Sequence, residues 1–246
     1  MKLPRSSDAI LAVVVVAITA MLLVTIPTAL LDLLIVASIS VSLLLLAVAL
    51  YVPNALSLLT FPSLLLLTTL FRLSLNVAST RLILLQGYAG DEIQTFGLFL
   101  VQGDVIVGII IFSIITVVNF VVIARGASRV AEVAARFTLD ALPGKQMAIE
   151  ADMRAGLIST QQAAARRDEL RKESQLYGNM DGAMRFVQGD VIAGIFIIFV
   201  NIFGGIYLGV SRGATFAEAV STYTILTVGD GLVTQIPALL ISVCAA

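Results

Sequence analysis

The polar and apolar positions of this chain fall into long blocks. Apolar runs near the length that crosses a bilayer, about 20 residues, recur along it. Ile10–Ile26 is the first and ends at Pro27. Leu30–Val52 is the second, with Asp32 near its start and Pro53 after it. Ala55–Phe71 is the third, short and interrupted by Pro62. Val105–Ala124, Val191–Val210 and Val220–Ala246 complete a set of six. The pattern predicts an all-α polytopic membrane protein with about six transmembrane helices and a small cytosolic helical insert between spans four and five. Residues 1–124 hold the first four spans, 125–190 the insert and 191–246 the last two. The first run has no small-x-small cleavage site and further spans follow at once, so it reads as a helix and not as a signal peptide. The chain stops inside the apolar run Ile236–Ala246, which predicts a longer natural protein.

Composition narrows the function. Hydrophobic residues make up 59% and charged residues 13%, with a mean hydropathy of +1.04. Soluble domains sit near 45–50% and 25%. Histidine and tryptophan are absent, and Cys244 is the single cysteine. That excludes an intrachain disulfide, Cys/His metal sites and His-based catalytic triads. No phosphate-binding GxxxxGK[ST] loop occurs. An enzyme, a cofactor and a bound metal are therefore not expected. A net charge of −1 gives no field for nucleic acid.

Charge also orients the chain. Residues 125–190 hold ten of the fifteen basic residues, and basic loops stay cytoplasmic. Lys2 and Arg5 place the N-terminus on the same side, and four spans between the two agree. Arg72 and Arg81 then fall on or near the far side, which predicts that they sit within protein or at headgroup level. Within the insert, Ser159 and Gln162 form a capping-box pattern. It opens a charged helix, Gln161–Tyr177, ending at Gly178. Pro143-Gly144 and Gly156 mark turns. Asp168 and Lys172 are spaced for an ion pair, as are Arg129 with Glu132 and Arg136 with Asp140.

Val101–Ile109, VQGDVIVGI, and Val187–Ile195, VQGDVIAGI, match at eight of nine positions with an offset of 86. Each opens an apolar span, and the two enter the membrane from opposite sides, as inverted repeats do. Asp104 and Asp190 each admit two readings. An Asp at a helix start is a good cap, and the helix dipole favours its ionised form. Apolar surroundings favour the neutral acid, which lets a proton bind and leave. Asp230, in the glycine-flanked segment TVGDGLVTQIP, stands within a span, where an acid is a functional candidate. Asn119 and Asn201 read as hydrogen-bonding residues between helices.

Four blocks carry a resemblance. They are Phe71–Leu85 (FRLSLNVASTRLILL), Arg129–Asp152 (RVAEVAARFTLDALPGKQMAIEAD), Met180–Gly194 (MDGAMRFVQGDVIAG) and Leu226–Ser242 (LTVGDGLVTQIPALLIS). In this order they resemble the type III secretion export-gate family (FHIPEP). Glu150 and Gln188 depart from its usual pattern, where Asp and a basic residue are more common. The block Ser174–Met184 is closer to the injectisome branch than to the flagellar one.

The resemblance implies a multi-pass protein of the bacterial inner membrane, with eight spans in the whole protein and a large C-terminal cytosolic domain. It implies a homo-oligomeric ring, typically ninefold, that works with other export-apparatus membrane proteins. The ring would use the proton-motive force to move exported protein substrates. Asp190 would be the proton-transfer residue, with Arg185 nearby, and Asp230 and Asp104 further candidates. Arg129, Glu132, Arg136, Asp140 and Lys145 would serve subunit contacts and gating. Arg72 and Arg81 would pair with membrane acids. A secondary transporter for a small solute is the alternative, because inverted repeats and broken helices also suit that class.

Overall fold

The computed structural model describes residues 6–52 and 58–245. Lys2, Arg5, Pro53, Ala55 and Ala246, used above, lie outside them. The described residues are helical and hold no strand. In order they form α1 (Ser6–Leu23), α2 (Thr28–Tyr51), α3 (Phe61–Gln86), α4 (Asp91–Val101), α5 (Val105–Asn119), α6 (Ser128–Arg154), α7 (Thr160–Phe199), α8 (Gly205–Ser211) and α9 (Phe216–Ala245). Two π-helical segments, Phe120–Ala127 and Val200–Gly204, join α5 to α6 and α7 to α8 without a break.

Four helical stretches are long and apolar enough to cross a membrane: α2, α3, the continuous Thr160–Ser211 and α9. The bent pair α4–α5 makes five. The apolar part of α1, Ala9–Leu23, is shorter, so these helices give four to five spans where the sequence reading expects six. The third span differs most. It does not stop near Phe71 but runs to Gln86, with Arg72 inside it. It ends where Gly87 adopts φ 66° and donates its N–H to the Ile83 carbonyl.

The two copies of the repeat fold differently. In the first, Gln102 and Gly103 take φ 45° and 88°, and the chain turns by 101° between α4 and α5. Asp104 caps the new helix, accepting from the N–H groups of Ile106 at 2.9 Å and Val107 at 3.3 Å. In the second copy α7 passes through Gly189 and Asp190 unbroken. Asp190 therefore opens no helix.

The polar insert is a helical hairpin that prolongs its neighbouring spans. α6 continues from α5, α7 continues into the membrane, and Gly156 (φ 74°) turns the chain between them. Ser159 and Gln162 form the expected capping box. Lys145–Glu173 at 3.1 Å and Arg166–Asp152 at 3.3 Å tie the two helices together. Ile149, Ala163 and Leu170 pack between them. Neither Pro143 nor Gly178 breaks its helix. A helix-interior proline costs about 3 kcal/mol, and the apolar and ionic contacts on both sides of Pro143 offset it.

α3 and α9 are the inner helices. α2 packs on both through Leu31 and Ile35 at one end and Leu45 at the other. α4 lies against α9 with almost no gap. A Cβ on Gly97 would come within 2.1 Å of the Ile225 carbonyl oxygen, and one on Gly229 within 1.8 Å of that of Ile93. Asp32 of α2 caps α4, accepting from the N–H groups of Asp91 and Glu92. Beside it, the hydrogen bond to the Asp91 carboxylate pushes the Tyr88 phenol up to about 12.

Candidate functional site

Polar residues in four apolar helices recur at helical spacing and meet inside the bundle. α3 contributes Arg72, Asn76 and Ser79, at i, i+4 and i+7. α7 contributes Asp190, and Asn201 follows on the same helical run. α9 contributes Asp230 and Thr234, at i and i+4. Thr116 and Asn119 come from α5. Residues at such spacings share one helix face, so each helix turns a polar stripe inward.

Arg72 and Asp190 form a buried ion pair. Arg72 Nε donates to Asp190 Oδ2 at 3.0 Å, and Nη2 donates to the same oxygen. The residues are 2% and 8% exposed. The pairing lets both charges stay inside an apolar bundle, where either alone would be costly. It also leaves Arg72 Nη1 and Asp190 Oδ1 without a protein partner.

Asp230, 3% exposed, sits in a second polar nest. Ser79 donates to its Oδ1, and Asn201 Nδ2 donates to Oδ2 at 3.2 Å. Asn201 lies in the second π-helical segment. Asn119 donates to Gln235 Oε1 at 2.9 Å, and Gln235 in turn donates to Thr116 Oγ1 at 2.9 Å. Asn119 and Asn201 thus bridge helices as expected.

The two acids face one cavity. It has a volume of about 40 Å³ and is lined by Arg72, Asn76, Asp190, Asp230, Thr234 and Gln235, among others. A smaller void of about 10 Å³ also touches both Arg72 and Asp230. A buried water needs at least about 10–15 Å³, so the larger space fits a short water file. The unpartnered atoms of Arg72 and Asp190 are groups such a file would satisfy. Along α7 from Asp190 to Asn201 the rise is about 16 Å, at about 1.5 Å per residue, roughly half of the ~30 Å hydrocarbon thickness. Among the described residues no three His, Cys, Asp or Glu side chains converge as metal ligands.

Other candidates sit elsewhere. Arg81 pairs with no acid among the described residues. It donates to the carbonyls of Leu22 and Leu23 at 2.8 and 2.7 Å, capping the end of α1. Arg185 is exposed and holds Asp181 one turn back, at 3.0 Å, outside the cavity. Asp104 is an exposed helix cap. On the hairpin, Arg129 pairs with Glu132 at 3.8 Å and Lys145 with Glu173. Arg136 and Asp140 are exposed and do not pair with each other. Asn76, Ser79, Thr116 and Gln235 were not singled out from sequence. The readable signal was the i, i+4, i+7 polar stripe inside FRLSLNVAST.

Long apolar helices closing around a charged, water-sized cavity define a polytopic membrane protein. The chain belongs to the FHIPEP family, which matches residues 18–246. It is 53% identical over 245 residues to "Low calcium response locus protein D" of Yersinia pestis, covering 99% of this chain and 35% of that protein. It is 55% identical to "Harpin secretion protein HrpI" of Erwinia amylovora, covering 98% and 34%. It is 52% identical to "Invasion protein InvA" of Salmonella typhimurium, covering 97% and 35%. The chain therefore spans about a third of the length of these relatives. No solved structure matches it.

Proposed function

We propose that this chain is the membrane part of a type III secretion export gate in the bacterial inner membrane, and that it couples the proton-motive force to protein export. The observation that carries the reading is the cavity shared by Arg72, Asp190 and Asp230. Two acids at different depths, with polar side chains and room for water between them, supply the parts of a proton relay. Asp190 exchanges protons with the water file by releasing its pair with Arg72, which holds the carboxylate in place between exchanges. Asp230 serves the far half of the path, steadied by Ser79 and Asn201. No bond is made or broken apart from those to protons, so the protein acts as a transporter component and not as an enzyme.

The hairpin and the N-terminus face the cytoplasm in this reading. The protein forms a homo-oligomeric ring among other export-apparatus membrane proteins. Arg136 and Asp140 are exposed for a neighbouring subunit, with Arg129 and Glu132 on the same side of α6. The alternative, a secondary transporter for a small solute, is disfavoured by size. Ligand pockets usually run to about 300–1,000 Å³, far above the 40 Å³ between the acids.

Substitution of Asp190 in a secretion-competent strain tests the assignment. Asp190→Asn keeps an acceptor for Arg72 but cannot exchange the proton. It should insert normally and abolish export, while Asp190→Glu should keep part of it. Near-normal secretion by the Asn variant would remove Asp190 from the proton path.

A further inference from the structure

A second, apolar opening lies on the outer side of the cavity. α5 and α7 meet chiefly at the hairpin end, where the π-helical segment Phe120–Ala127 packs on α7. Beyond that point they part, and α9 forms the base of the gap. The cleft between them has a volume of about 330 Å³. Phe112, Phe120, Ile198, Phe199 and Phe203 line it, with Val228 at its base. Phe199 and Phe203 stack in parallel, with centroids 6.1 Å apart, and give one wall a flat face.

The cleft extends from Ile109 to Phe120, about 16 Å along the helix, which is close to one leaflet. The apolar, largely aromatic lining suits a hydrocarbon chain. A cation stands at one end. The Arg125 guanidinium lies 6.0 Å from the centroid of the Phe120 ring. It is exposed and joins no ion pair among the described residues. Arginine at the end of an apolar span lies where anionic headgroups gather.

We infer that this cleft binds an anionic phospholipid from the leaflet on the hairpin side. One acyl chain lies between α5 and α7, and the phosphate rests on Arg125. The cleft shares Thr116, Ile195 and Ile198 with the polar cavity. The bound chain therefore walls off the cavity from bulk lipid. Its role as a seal for the relay rests on the function proposed above, but binding itself does not.

The chain has no tryptophan, so Phe199→Trp creates a single reporter on the cleft wall. The variant is placed in nanodiscs with brominated acyl chains on either phosphatidylglycerol or phosphatidylethanolamine, at equal mole fractions. Brominated phosphatidylglycerol should quench the reporter with about fivefold higher apparent affinity, the preference one arginine supplies near an anionic headgroup. Arg125→Gln should abolish that preference. Phe203→Trp gives an independent reporter if the first variant folds poorly, and Leu43→Trp on the outer face of α2 reports ordinary boundary lipid. Equal quenching by the two lipids at the cleft, or the same preference at Leu43, would overturn the site. So would a cleft reporter that neither lipid quenches, because protein would then fill the space.

Discussion

At the scale of single residues, Arg72 and Asp190 are the pair on which the centre depends. Removing one member of a buried pair costs about 3–5 kcal/mol, whereas an apolar replacement of both can be nearly neutral. Asp190→Leu should therefore lower the thermal midpoint of the purified protein sharply, because Arg72 loses its acceptor. Adding Arg72→Leu should restore most of that stability without restoring export. A lone Asp190→Leu as stable as the parent would show that the pair does not hold the helices. The sequence made part of this legible. Asp190 and Asp230 stood out as acids in apolar runs, and Arg72 as a cation that needed a membrane partner. Arg81 carried the same expectation but found backbone carbonyls, because it lies beside the C-terminal end of α1, where the last carbonyls lack helical partners. Arg185 is close to Asp190 in sequence, yet its side chain follows the outer face of α7. Spacing along the chain did not reveal which partner a third helix would bring.

At the scale of elements, the repeat gives the clearest contrast. The same VQGDVI string is a capped bend in one place and uninterrupted helix in the other, so tertiary contacts decide its conformation. In the second copy Arg72 holds the Asp190 carboxylate from α3. In the first, the Asp104 carboxylate is free to cap. Substitution of the equivalent glycines should then have opposite signs. Gly189 is helical with open space around it, so Gly189→Ala should stabilise by up to about 1 kcal/mol. Gly103 has φ 88°, so Gly103→Ala should be strained and destabilise. Thermal melts in one detergent compare the two directly, and shifts of the same sign would refute the assigned conformations. Gly229→Ala should be more damaging than either, since the added methyl meets the Ile93 carbonyl and would force α4 off α9. Its effect should reach the neighbouring Asp230. Pro143 and Gly178 show why the hairpin was harder to read. Both are usual helix breakers, but cross-hairpin packing and ion pairs override them.

At the scale of the whole molecule, the arrangement is a membrane bundle with a hairpin rising from two of its helices. From Arg125 to Arg154 the helix extends about 45 Å, at about 1.5 Å per residue. Arg81 holds the C-terminal end of α1 near the far end of α3, so the start of α1 and the hairpin lie on the same side of the apolar zone. Leu157 is 74% exposed at the hairpin tip. With Cys244→Ser as background, Leu157→Cys should react with an impermeant thiol reagent only after the inner membrane is opened. Labelling in intact spheroplasts would invert the proposed orientation.

Proton flux tests the role of the cavity most directly. In vesicles carrying the assembled protein, an imposed pH gradient should decay faster than in vesicles without it. Asp190→Asn and Asp230→Asn should each return the decay to background. Asp104→Asn, altered only at an exposed cap, should match the parent. A gradient that decays at the parental rate in both the Asp190 and the Asp230 variants would contradict a proton path through this cavity.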